Sequence, residues 1–142
     1  MADAAPDSRP TAPVVPRHKL PERYELAAVR EEAFATGTTP PPGVSLDDSD
    51  THRGRAAGFE AASVALRSHR RLSDSVDMLR RLMQRLELRG DASMYPAPWR
   101  EGYLEAVGDA VQTIERTLAA EHFDSTRDRR LERRVMRMEM GK

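Results

Sequence analysis

The sequence predicts an all-α fold: a small antiparallel helical bundle or hairpin of about three core helices. A disordered, proline-rich N-terminal arm precedes it and an arginine-rich helix follows. Three observations carry this reading. Leu72, Val76, Leu79, Met83 and Leu86 are spaced four, three, four and three residues apart, which lines one helix face and leaves Asp77, Arg80, Arg81 and Arg85 on the others. Tyr103, Val107, Ala110, Val111, Ile114 and Leu118 form a second stripe of helical period. No proline falls between Thr51 and Arg89 to break the helices that these stripes need.

A chain of 142 residues sets one domain as the prior. Its expected parts are an arm at 1–50 with a short amphipathic helix at about 22–35, a bundle core at 51–123 and an arginine-rich helix at 124–142. The 23 basic and 23 acidic residues cancel, so no whole-protein field draws the chain to nucleic acid or to a membrane. Cysteine is absent, which excludes disulfides, thiolate catalysis and Cys-based zinc sites. The longest apolar runs fall far short of the roughly 18 residues of a spanning helix. Met1–Pro16 has neither the basic nor the apolar stretch of a secretory signal. A soluble, cytoplasmic protein is the expectation. Only Lys19 and Lys142 are lysines, and alanine and proline are plentiful, which points to a GC-rich genome, bacterial or phage.

Taken in order, Met1–Pro16 carries Pro6, Pro10, Pro13 and Pro16 among small polar residues. It buries too little apolar surface to offset the entropy of ordering, so disorder is predicted. Pro21 suits a first helical turn, and Glu22 and Glu25 suit the helix dipole there. The helix over about 22–35 ends at Gly37, and Pro40, Pro41, Pro42 and Gly43 impose a linker. This helix either packs back on its own core or docks on a partner through Tyr24, Leu26, Val29 and Phe34. Asp47, Asp48, Ser49 and Asp50 read as an N-cap cluster. A calcium loop fails on spacing, because counting from Asp47 puts His52 sixth and Gly58 twelfth, where Gly and Glu are required.

One helix from Thr51 to Arg89 would satisfy the absence of proline, but a break near Ser73 is preferred. Phe59, Ala62 and Leu66 share a face about half a turn away from Leu86. Arg67, Arg70 and Arg71 suit a helix C-terminus, and Ser73, Asp74 and Asp77 suit the next start. Arg89 and Gly90 close that helix, and a short loop to Pro98 returns the next one antiparallel. Residues 56–90 carry net +3 and residues 91–123 net −4, which suits neighbouring helices. Trp99 is expected to cap one end of the core. Gly58-Phe59-x-x-Ala62 echoes Gly102-Tyr103-x-x-Ala106, a glycine for close helix approach beside an aromatic for the core. Two short matches do not establish a repeat. Asp124 or Ser125 is expected to cap a separate last helix over about 126–139.

The chain has no phosphate loop, no G-x-S-x-G and no H-E-x-x-H. His18, His52, His69 and His122 stand in separate segments, and no Glu-x-x-His pair offers a bundle metal site. His69 falls near an apolar helix face, as a partly buried imidazole. The expectation is therefore no enzymatic activity, no cofactor and no metal. The leading functional expectation is a helical protein-interaction or assembly protein with a protein partner or a homo-oligomer. Leu131, Val135 and Met138, spaced four and three, form the seam for coiled-coil-like self-association. The alternative is an accessory nucleic-acid-binding protein contacting phosphates through Arg127, Arg129, Arg130, Arg133, Arg134 and Arg137. Asp128, Glu132 and Glu139 are interspersed with those arginines and count against it. No membrane role is expected.

Overall fold

A computed structural model describes residues 14–36, 49–89 and 94–140, the side chains at 128, 139 and 140 excepted. The fold is an all-α bundle, with no strand among the described residues. A 3-10 turn at Arg17–Lys19 leads into α1 (Leu20–Ala35), followed by α2 (Ser49–Ser68), α3 (Leu72–Arg89) and α4 (Ala97–Met140). The proline-rich arm up to Pro13, the Pro40–Gly43 linker, and Asp47 and Asp48 lie outside the described residues.

The parallel pair α2 and α4 is the centre of the molecule. A Cβ on Gly54 would stand 2.0 Å from the Trp99 carbonyl oxygen, and one on Gly58 would stand 2.8 Å from the Tyr103 carbonyl oxygen and from Ala106 Cβ. A Cβ on Gly102 would stand 2.2 Å from the Thr51 carbonyl oxygen. Three glycines thus bring two helix backbones into contact, which any side chain would prevent. The echo between Gly58 and Gly102 is a shared packing device on two facing helices. Its aromatic half also holds: Phe59 is buried and Tyr103 packs against the core.

α1 runs antiparallel to α2, as Glu25 pairs with Arg67 and Glu31 with His52 and Arg55. Its Leu20 and Tyr24 are fully buried, and the Tyr24 ring stacks on Phe59 at 5.9 Å. The helix assigned to the arm therefore belongs to the core, and a boundary at 50 does not separate the two. Tyr24 explains why: once in a helix with Leu20, it adds one more large buried ring to a core short of aromatics.

α2 and α3 are separate helices, as the two faces required. Their junction is His69–Arg71, slightly before the expected point. The buried Ser75 hydroxyl donates to the Ala65 carbonyl at 3.0 Å, and His69 Nδ1 lies 3.0 Å from the same oxygen. Side chains thus satisfy a carbonyl that the end of α2 leaves open. α3 runs antiparallel to α4, with Arg80 paired to Glu115 and Met83 against Gly108. Of its stripe, Leu72, Val76 and Leu79 are buried, while Met83 and Leu86 are only partly covered.

The separate last helix does not exist: α4 is continuous from Ala97 to Met140. Asp124 and Ser125 are capping residue types, but a cap forms only where the chain turns. No glycine or proline stands between Asp109 and Met140 to make it turn.

The bundle ends at Glu121. Arg17 Nη2 donates to Glu121 Oε1 at 2.7 Å, and its Nη1 donates to the Arg70 carbonyl at 3.0 Å. The hydrogen bond from Arg17, then its charge, holds the Glu121 carboxyl below the usual glutamate range. A lowered folded-state pKa means stability present above the unfolded pKa of about 4.3 and lost as pH falls through the lower value. The stability difference between the wild type and Glu121→Gln should stay constant near neutral pH and close below about pH 4. Thermal unfolding across that range checks this. Both groups are half exposed, so the neutral-pH difference should be within about 1 kcal/mol.

Candidate protein-interaction site

Past Glu121, α4 leaves the bundle and continues for 19 residues, about 28 Å at the ordinary helical rise. Every described side chain from His122 to Met138 is exposed except the half-buried Thr126. The core-facing stripe Tyr103, Val107, Ala110, Ile114 and Thr117 extends by the same alternation of four and three through Glu121 and Asp124. It then reaches Leu131, Val135 and Met138. Inside the bundle this line is covered by α2 and α3. Beyond it, Leu131 is 48% exposed, Val135 53% and Met138 69%. All three self-association candidates therefore lie together on one face of a stretch of helix that no other described element covers. Phe123, 67% exposed, was not anticipated and adds to the apolar surface.

The arginines are sorted by the same helix. At 100° per residue, Arg127, Arg129, Arg130, Arg133, Arg134 and Arg137 fall in a sector of about 160°. Glu132 lies outside it, on the far side of the apolar line, and Asp124 lies on that line. Acids interspersed in the sequence are thus segregated in space. The apolar line has a basic flank at Arg127 and Arg134 and an acidic flank at Glu132.

The α1 candidates are not brought together. Tyr24 is in the core, and Phe34 is half-buried with its ring edge-on to His52 at 5.5 Å. Leu26 and Val29 are exposed at 59% and 69%. A docking face containing Tyr24 is therefore corrected: its ring is used by Phe59, and only Leu26 and Val29 face outward.

Two further clusters were missed. Glu31, His52, Arg55 and Glu105 form a polar network joining α1, α2 and α4. His52 Nδ1 donates to Glu31 Oε2 at 2.5 Å, Arg55 Nε donates to Glu31 Oε1 at 3.0 Å, and Arg55 also pairs with Glu105. Burial works against the charged Arg55, but the hydrogen bonds to Glu31 and Glu105 outweigh it and raise its pKa. No pattern in the sequence links residues so far apart.

The second cluster is an aromatic ladder at the start of α4. Trp99 stacks on Tyr95 at 4.0 Å and on Tyr103 at 5.2 Å, nearly parallel to both. Trp99 does sit at one end of the core, half-buried. Beside the ladder, Leu82, Arg85, Leu86 and Arg89 of α3 wall an open groove of about 400 Å³. Burial of Tyr103 raises its phenol pKa. The recurrence at 95, 99 and 103 is a helical period and could have marked the ladder.

Among the described residues no group of three or more His, Asp or Glu is placed to hold a metal, and no helix is long and apolar enough to cross a membrane. Comparison with family models, with curated proteins and with solved structures returns no match.

Proposed function

We propose that this chain is a non-enzymatic assembly protein whose bundle serves as a platform for the projecting half of α4. The observation that supports the reading best is the return of the core-facing stripe at Leu131, Val135 and Met138 on a stretch of helix that no other described element packs against. A bare helix of this length is marginal in water and gains most of its order by burying such a line against another helix.

Replacing Leu131 and Val135 together by Asp should weaken self-association by at least about 100-fold, since it removes apolar burial and adds desolvated charge. The bundle should stay folded, because neither residue touches it. Sedimentation and helix content by circular dichroism check both halves of this.

A second reading, binding of nucleic acid, is favoured by the gathering of six arginines in one sector. Its test is replacement of Arg129, Arg130, Arg133 and Arg134 by Gln. Under this reading that change abolishes retention of nucleic acid and leaves self-association intact. If both sets of substitutions are silent, both readings fall.

A further inference from the structure

We infer that copies of this chain join head to tail, the projecting half of α4 from one copy lying in the groove between α3 and the Trp99 ladder of the next. This rests on the assembly reading above and names its partner surface.

The two surfaces match in three respects. First, both are apolar: Leu131, Val135 and Met138 line about 10 Å of α4, and Leu82 and Leu86 with the rings of Tyr95, Trp99 and Tyr103 line the groove. Second, their charges are complementary. The groove carries Arg85 and Arg89, one helical turn apart, and no carboxylate lines it among the described residues. The apolar line on α4 carries Glu132 on the flank that would face those arginines, Asp124 at its near end, and Arg127 and Arg134 on the opposite flank. Arg17, Arg55, Arg67 and Arg80, the arginines between helices, are each paired with a glutamate. Among the described residues, Arg85 and Arg89 have no such pair. Third, the groove has the composition of a binding hot spot, with Trp, Tyr and Arg around an apolar floor.

The surfaces also lie at opposite ends of the molecule. The groove is at the start of α4, and the projecting half is at its finish. A contact between different surfaces at opposite ends does not close on itself as a two-fold dimer. It leaves a free groove at one end and a free helix at the other, so chains extend or close into rings. Seam-to-seam pairing of two projecting halves is the competing arrangement. Run antiparallel, with Leu131 against Val135, that pairing sets Arg134 against Arg134 and Glu132 against Glu132. Run parallel, it drives the two bundles into the same space, because α2 and α3 cover that side of α4.

Mixing two variants tests the proposal. The first carries Leu131→Asp and Val135→Asp, which disables the helix and leaves the groove. The second carries Arg85→Glu and Arg89→Glu, which disables the groove and leaves the helix; both arginines are exposed, so the fold should hold. The wild type should grow beyond dimers as concentration rises, with growth weakened by salt. Each variant alone should associate at least tenfold more weakly. Mixed, they should form a one-to-one heterodimer and stop there. Trp99, the only tryptophan, should shift its emission to the blue as the heterodimer forms. If the groove variant associates like the wild type while the helix variant does not, the seams pair with each other, and the head-to-tail inference falls while the assembly reading stands. If the wild type is monomeric at every concentration, both fall.

Discussion

Gly54→Ala should destabilise the bundle by roughly 2–3 kcal/mol, lowering the unfolding temperature by about 6–10 °C. Helix propensity alone predicts the opposite, since alanine in a helix interior is favoured over glycine by about 1 kcal/mol. The close approach decides the sign. The added Cβ would meet the Trp99 carbonyl at 2.0 Å, and that oxygen is backbone, which cannot swing aside. Either α2 and α4 separate along their crossing, or the start of α4 shifts and takes the aromatic ladder with it. Gly102→Ala should behave alike, with Thr51 as the obstacle. Gly108→Ala is the control. Its Cβ would meet only Met83 Cε at 3.7 Å, an ordinary contact, so propensity should win and the variant should gain up to about 1 kcal/mol. Thermal unfolding of the three variants reads the contrast directly.

Glu31→Ala should cost about 2–4 kcal/mol, the second large effect. Glu31 is buried and accepts from both His52 and Arg55. Removing it leaves a buried imidazole N–H without its acceptor and takes one of two carboxylates from Arg55. The double variant Glu31→Met with His52→Leu should recover much of the loss, because both members of the buried pair are then apolar. Glu105→Gln, on the exposed side of the same arginine, should cost well under 1 kcal/mol, since that side chain is 62% exposed. Equal losses for Glu31→Ala and the double variant would show that the lost contact to Arg55, common to both, sets the cost rather than the orphaned imidazole.

Much of the fold was legible because helical periodicity is a local signal. The Leu72 and Tyr103 stripes each became a helix with that face inward, and the mismatch of phase between Phe59 and Leu86 located a real break. The failures have physical causes. Tyr24 looked available for a partner because its own helix carries a weak, mixed pattern, and only tertiary contact with Phe59 shows where it points. Asp124 and Ser125 suggested a helix start because capping preferences are readable without the turn that makes them caps. The alternation of four and three from Tyr103 to Met138 was in the sequence throughout. Glu121, Asp124 and Asp128 masked it by interrupting the apolar line. The glycine contacts between α2 and α4 were legible only as an echo, since spacing cannot say which helix a glycine faces. Which arginines pair was not legible at all: among the described residues Arg17, Arg55, Arg67 and Arg80 find glutamates on other elements and Arg85 and Arg89 do not, a difference that only the packing sets.

The most direct measurement is the mass of the full chain in solution across a wide concentration range, by sedimentation or light scattering, beside the variant carrying Leu131→Asp and Val135→Asp. If the projecting half of α4 is an assembly element, the wild-type mass rises with concentration above the 15.9 kDa of a single chain, and the variant stays at that value. A wild type fixed at 15.9 kDa throughout, or a variant that associates as strongly as the wild type, would contradict the account.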